Sequence, residues 1–242
     1  MKDREKVVGI IGGMGPEATV DFMRRLIAAV PAKDDCDHLH VIADNNSKVP
    51  SRIAALIEGH GKDPAPVLVG MARRLEAAGA DILTIPCNTA HHYHKKIARS
   101  VHVPVIDMVA LSVKRLASLS PRPRRIGMLA SMAVRKVGVY DHPLAEQNFE
   151  PLYGGAQTEA ALLELIRAVK SSGATAALAK SYKAVAQTLA DQGADALLVA
   201  CTELSLFPAP SVGLPVVDAL DVLVEETVRA ARAQPQSRGS KQ

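Results

Sequence analysis

The sequence predicts an α/β protein: two similar parallel-sheet domains related by pseudo-two-fold symmetry, with an active site in the cleft between them. Three observations predict it. Residues 79–89 read GADILTIPCNT and residues 193–202 read GADALLVACT; in each, Gly-Ala-Asp opens an apolar run that ends in a cysteine eight residues after the glycine. The match extends both ways, pairing Gly9-Ile10-Ile11-Gly12-Gly13 with Gly127-Met128-Leu129-Ala130-Ser131, and Val103-Pro104-Val105-Ile106-Asp107 with Leu214-Pro215-Val216-Val217-Asp218. The three offsets, 118, 114 and 111 residues, are those of two copies that differ by short loop deletions. Finally, short apolar runs of strand length alternate with segments of helical periodicity, as parallel sheets require. On this reading residues 1–117 form a first domain carrying Cys87 and residues 118–217 a second carrying Cys201. The helix at 218–232 packs back on the first domain, and 233–242 is a disordered tail.

The chain of 242 residues is long enough to bury a substantial core, whether as one large domain or two small ones. Its 48% hydrophobic and 22% charged residues are ordinary for a soluble protein, and no apolar run approaches the length of a membrane span. Met1 to Lys6 opens with charge and meets a strand directly, which leaves no room for a signal peptide, so a cytoplasmic protein is expected. The net charge of +4 is partly local, with Arg122, Arg124 and Arg125 together and Arg238 and Lys241 in the tail; aromatics at 3% supply few stacking platforms, so no nucleic-acid partner is expected. Three cysteines without short spacings form neither a disulfide framework nor a zinc knuckle.

Taken in order, Val7 to Ile11 reads as a buried strand running into the turn Gly12-Gly13-Met14-Gly15-Pro16, where glycines permit a tight bend and Pro16 suits the first turn of a helix carrying Val20 to Ala29. The spacing matches neither the dinucleotide fingerprint nor a P-loop. Three uses stay open for this turn: a plain structural turn, an anion site on its N–H groups, or the wall of a small-acid pocket. His38 to Ala43 is the second strand, followed by the loop from Asp44 to Arg52 on the same sheet edge. Arg52 is either a solvated loop arginine or a two-pronged carboxylate clamp.

Pro64 to Ala78 is an amphipathic helix and Asp81 to Ile85 the next strand. Asn88 to Ala98 begins a helix beside Cys87, where free N–H groups are expected to lower the thiol pKa toward neutrality. Cys87, His91 and His94 share a helix face, which leaves open a metal trio, a histidine that helps the adjacent thiol, or a solvated or capping role; no fourth ligand is evident and no metal is expected. Cys36, among Asp34, Asp35 and Asp37, is expected to be inert.

In the second half, Ile126 to Ala130 is a strand leading to Ser131, and 148–152 is a short edge strand. Thr158 to Lys170 and Thr175 to Gln192 are helices, Ala196 to Ala200 is the strand that delivers Cys201, and Thr202-Glu203-Leu204 starts a turn of helix. Leu214 to Val217 is the last strand and Asp221 to Arg232 the final helix.

Two thiols at equivalent loop tips suit racemisation, in which one group removes a proton from a stereocentre and a like group returns one on the opposite face. No pyridoxal-phosphate lysine setting or nucleotide fingerprint is present, so a cofactor-free enzyme is expected. Gly12-Gly13-Met14-Gly15-Pro16-Glu17-Ala18-Thr19, Asn45-Asn46-Ser47 with Val49-Pro50-Ser51-Arg52, Pro86-Cys87-Asn88-Thr89-Ala90-His91 and Cys201-Thr202-Glu203-Leu204 resemble the aspartate racemase branch of the aspartate/glutamate racemase superfamily, over nearly the whole chain to about residue 230. The resemblance implies two α/β domains, cofactor-independent racemisation of a small amino-acid substrate such as aspartate or glutamate, and commonly a homodimer. It implies Cys87 and Cys201 as paired acid and base. Asn88, Thr89 and Thr202 would hold the α-carboxylate and α-amino end, with Met14 lining the pocket and Ser131 keeping a family hydroxyl. Arg52 and Lys170 would read the substrate side chain. The chain departs from the family at Ala133, Val134 and Val137, where glycine and two hydroxyl residues are usual, which bears on the preferred substrate. Two other outcomes implied within reach of such a cleft are cis-trans isomerisation of a small dicarboxylate and a small-acid binding protein without turnover.

Overall fold

The computed structural model of the chain describes residues 5–233, so the expected tail lies, apart from Ala233, outside the described residues. The first sheet has the order β2-β1-β3, with β1 Val8–Gly12 in the centre, β2 Val41–Asn45 and β3 Ile82–Thr84, all parallel. The second has the order β5-β4-β6-β7, from β4 Arg125–Ala130, β5 Glu150–Leu152, β6 Ala196–Ala200 and β7 Val216–Asp218, also all parallel. A bridge between Leu83 and Val105 stands in the first sheet where the β6–β7 pairing stands in the second. The α/β class with two parallel sheets is as the sequence predicts.

The helices are α1 Pro16–Ala29, α2 Ala65–Ala77, α3 His94–Ala98, α4 Met108–Ala117, α5 Met132–Lys136, α6 Asp141–Glu146, α7 Gly155–Ser172, α8 Ala176–Asp191 and α9 Ala219–Arg232. Of these, α4, α5 and α6 are not among the elements read from sequence. The segment expected as one helix from Asn88 is a 3-10 turn, Thr89–Tyr93, followed by the short α3.

Packing explains why the repeated motifs repeat. A Cβ on Gly9 would lie 2.5 Å from Leu83 Cδ2 and 2.8 Å from the Ala80 Cβ, and a Cβ on Gly127 would lie 2.5 Å from Leu197 Cδ2 and 3.1 Å from the Ala194 Cβ. Each central strand is thus a glycine at the point where the neighbouring Gly-Ala-Asp unit presses against it, and a side chain in either place would wedge the sheet from its helix. The other repeat ends in two aspartates that do the same work. Asp107 accepts from Val109 N and Ala110 N, both 3.0 Å, to cap α4, and Asp218 accepts from Leu220 N at 2.8 Å to cap α9.

These two capped helices cross over. Val109, Val113 and Leu116 of α4 are buried with Ile126 and Met128 of the second sheet, whereas Leu220, Leu223 and Val224 of α9 are buried with Val8 and Ile10 of the first. Each half therefore covers part of the other's sheet. Arg25 on α1 adds a polar tie, bonding to Asp21 at 2.7 Å, to Asp221 of α9 and to the Ser205 carbonyl just beyond Cys201. Among the described residues no helix is long and apolar enough to cross a membrane.

Candidate active site

Both sheets direct the carboxyl ends of their strands at one cavity of about 380 Å³. Strand-to-helix turns of parallel sheets gather at that edge, which is where a ligand fits between them. From the first half come the turn after β1 with Gly13, Met14 and Gly15, the loop after β2 with Val49, Arg52 and Ile53, and Cys87, Asn88 and Thr89 after β3. From the second come Ser131 and Ala133 after β4, Ile166, Val169 and Lys170 on α7, and Cys201, Thr202, Glu203 and Leu206 after β6. All nine residues singled out in the sequence border this single cavity. Cys36 does not; it sits exposed in the 3-10 turn Asp35–Asp37.

The turn after β1 is held by its own side chains. Gly13 N–H donates to Thr19 Oγ1 at 2.9 Å, and the Thr19 hydroxyl donates to Gly15 O at 3.1 Å. Gly13 takes a φ of +89°, and its Cα faces the Asn46 backbone so closely that a Cβ would come within 2.2 Å of the Asn46 carbonyl carbon. That contact locks the turn after β1 against the loop after β2 and carries Met14, 3% exposed, into the cavity wall. Of the three uses left open for this turn, lining a pocket is the one its position matches.

Arg52 is anchored rather than solvated. Its Nη1 donates to Pro50 O at 3.0 Å and Val49 O at 3.4 Å, and its Nη2 donates to Met14 O at 3.3 Å. A guanidinium has five N–H donors, so two remain for a ligand.

Cys87 and Cys201 are each 6% exposed. The expectation of a lowered Cys87 pKa is corrected: burial pushes this thiol above its ordinary value, and the Glu203 carboxylate adds to the rise. Arg52, the Ala90 N–H and Lys170 pull the other way without cancelling it. A desolvated thiolate loses more than one 3-10 turn of N–H groups returns. Cys201 is raised further, first by burial and then by Glu203, whose Oε2 accepts from the thiol at 3.1 Å.

The metal trio does not form, because both His91 nitrogens serve the backbone. Nδ1 lies 2.9 Å from Cys87 O and Nε2 accepts from Met108 N at 3.1 Å. The carbonyl must receive a proton and the amide must give one, which fixes the neutral tautomer with hydrogen on Nδ1; burial lowers the His91 pKa in the same sense. His91 thus pins the main chain at Cys87 and does not reach the thiol.

Asn88, 2% exposed, is turned by Tyr140, whose hydroxyl donates to Asn88 Oδ1 at 2.6 Å. With its oxygen so occupied, the amide must present Nδ2, which is buried without a partner among the described residues and stands at the cavity wall. A buried donor without an acceptor costs about 1 to 3 kcal/mol, which a bound carboxylate would relieve. Thr89 Oγ1 meets Ser131 Oγ at 3.4 Å, a contact between the two halves. Of the three departures from the resembling family, only Ala133 lines the cavity; Val134 is in the second core and Val137 closes α5.

Sequence reasoning passed over Glu203. It is 6% exposed, bonds Cys201 and pairs with Lys170. The available signal was an acidic residue inside the otherwise apolar run around Cys201; its cation lies 33 positions away on α7. Lys170 accordingly reaches the cavity already paired. Burial works against its charge, but Glu203 together with the two cysteines outweighs burial and holds the ammonium above its usual range.

Comparison with known proteins gives consistent relatives. The Asp/Glu/hydantoin racemase family matches residues 11–227. A broad specificity amino-acid racemase, RacX of Bacillus subtilis (strain 168), is 26% identical over 231 residues, 92% of this chain and 96% of that one. The structure of Picrophilus torridus aspartate racemase superposes with a TM-score of 0.83 at 27% identity, covering 96% of both chains. A glutamate racemase from Francisella tularensis in complex with D-glutamate has a TM-score of 0.65 at 15% identity, covering 95% of this chain and 81% of that one, a likeness of fold.

Proposed function

The chain belongs to the Asp/Glu/hydantoin racemase family, and on that premise we propose that it interconverts L- and D-amino acids, aspartate or glutamate foremost, with Cys87 and Cys201 as the two proton-transferring groups. The observation that carries this reading is that two buried thiols, from corresponding strand ends of two like sheets, open on one cavity. One thiolate removes the α-proton on its side while the opposite thiol supplies a proton, and in the reverse direction they exchange tasks. Their elevated pKa values suit the work. A strongly basic thiolate is a better match for a weakly acidic α-proton, and the α-ammonium of an arriving substrate supplies the positive charge that favours ionisation.

The α-carboxylate is received by Asn88 Nδ2, with the hydroxyls of Thr89 and Thr202 beside it; Ser131 supports Thr89, and Met14 closes the wall. As negative charge builds at the carboxylate in the transition state, donors fixed in advance stabilise it without reorganising. The two unused donors of Arg52 suit a side-chain carboxylate. Support for an acidic substrate comes from Arg52 and from the aspartate racemase likeness, while the RacX likeness favours testing a wide panel.

The test is chiral analysis of L- and D-aspartate, glutamate and alanine after incubation with the protein and with Arg52→Ala. Inversion of both enantiomers of an acidic amino acid is expected. Arg52→Ala should raise KM for acidic substrates about 10- to 100-fold, the worth of a charge-assisted hydrogen bond, and leave alanine little changed. An equal rise for alanine would remove Arg52 as side-chain reader. Saturable binding without inversion of any amino acid would instead indicate a binding protein.

A further inference from the structure

The two cysteine turns are fastened in different ways. Four residues after Cys87 stands His91, whose ring joins Cys87 O to Met108 N at the start of the crossing helix α4. Four residues after Cys201 stands Ser205, 2% exposed, whose hydroxyl donates to Asp218 Oδ1 at 2.7 Å at the start of the crossing helix α9. The Ser205 hydroxyl is thereby spent, and its carbonyl is held by Arg25, which comes from α1 in the first half. Arg25 Nε donates to Asp21 at 2.7 Å, its Nη1 bonds Asp221 and lies 3.7 Å from Asp218 Oδ2, and its Nη2 donates to Ser205 O. One planar fork thus meets three acceptors in three directions, which a single ammonium does not reproduce.

We propose that Arg25 is a positioning residue for proton transfer at Cys201: reaching across from the first half, it fixes the turn that carries this thiol and so sets its distance from Cys87 across the cavity. The path is short. Arg25 holds Ser205 O, Ser205 lies in the 3-10 turn Leu204–Leu206, and Leu204 N donates to Cys201 O at 2.9 Å. The helix α1 itself starts at Pro16, directly after the turn that brings Met14 into the cavity wall, so the helix that shapes one side of the site fastens the other. The turn also has room to relax if it is released. A second space of about 230 Å³, lined by Tyr182, Phe207, Asp218 and Arg25 itself among others, adjoins it. Burial works against the charge of Arg25, but Asp218, Asp21 and Asp221 outweigh it and hold the guanidinium above its usual range. Burial also pushes the Asp218 carboxyl up to about 6, which leaves it ionised and facing Arg25 at neutral pH.

This inference rests on the racemase reading for its effect on turnover, while its second readout needs no turnover. In Arg25→Met, kcat should fall about tenfold or more for acidic and neutral amino acids alike, since misplacing a reacting group by about 1 Å can cost on the order of 10²-fold. KM should change little, because Arg52, Asn88 and Thr89 stand on the first half and keep their places. The α-deuterium isotope effect on kcat should grow as proton transfer slows. Arg25→Lys, which keeps the charge and loses the fork, should restore part of kcat. In the full-length protein without substrate, iodoacetamide alkylation followed peptide by peptide should quicken about threefold or more at Cys201 in Arg25→Met and stay unchanged at Cys87, as a local opening requires. A lower Tm with kcat and the Cys201 alkylation rate unchanged would make Arg25 a stability residue only and overturn the proposal, as would equal quickening at both cysteines. If Arg25→Met does not fold, Arg25→Lys decides by the same readouts: a reduced kcat with quicker alkylation at Cys201 alone sustains the proposal, and wild-type values overturn it. Quickening at Cys201 alone in a protein that inverts no amino acid would sustain the tie and defeat the racemase reading.

Discussion

Replacing either Cys87 or Cys201 by serine is expected to abolish racemisation, with a loss of about 10³-fold or more in kcat/KM in both directions. Positioned acid–base groups contribute on the order of 10² to 10⁴, and a serine hydroxyl has too high a pKa to stand in for a thiolate. Because the overall equilibrium between enantiomers is fixed, kcat/KM must fall equally in both directions whichever cysteine is changed. The double variant should be little worse than either single one, as groups that act as a unit are not additive. Both thiols are small buried groups, so the serine variants should fold. Cys36→Ser serves as the control. That residue is exposed and remote from the cavity, and its replacement should leave activity unchanged. Initial rates from each pure enantiomer provide the measurement.

Gly13→Ala is expected to damage the fold and the site together. The alanine Cβ would stand 2.2 Å from Asn46 C, 2.3 Å from Asn46 O and 2.6 Å from Asn46 N, all backbone atoms that cannot rotate away, and the φ of +89° is itself unfavourable for a side chain. Parting the turn after β1 from the loop after β2 should lower stability by about 3 kcal/mol or more, or roughly 6 to 12 °C in Tm for a chain of this size. Gly59 gives the comparison. It has a φ of +73° but nothing within 4 Å of its would-be Cβ, so Gly59→Ala should cost only about 1 kcal/mol. Thermal unfolding of the two variants separates steric contact from backbone strain. Any Gly13→Ala protein that remains folded should also lose activity, since Met14 and Gly15 follow directly into the cavity.

How much of this was legible in the sequence depends on how local each cause is. The strands that carry Cys87 and Cys201 could be read because the closely packed glycines Gly9 and Gly127 and the helix caps Asp107 and Asp218 impose the same residues twice. The crossing of α4 and α9 could not be read, for an amphipathic helix does not state which sheet it covers, and the short α5 and α6 have too few turns to show a period. The error over the Cys87 thiol has the same origin. The N–H groups beside it are evident in the sequence, but the burial that outweighs them comes from packing with residues distant along the chain, Ile11, Met14 and Val49 among them. Lys170 was legible as a cation near the cavity and illegible as one already paired, because its partner lies 33 positions further along the chain, after β6.

The most direct test of the two-thiol account is the origin of the hydrogen in the product, read by mass spectrometry during the first few per cent of conversion of L-aspartate in D₂O. If two groups act on opposite faces, D-aspartate should carry solvent deuterium from the start while the remaining L-aspartate keeps its protium. Protium retained in the newly formed D-aspartate would mean that a single group removes and returns the same proton, which contradicts the account.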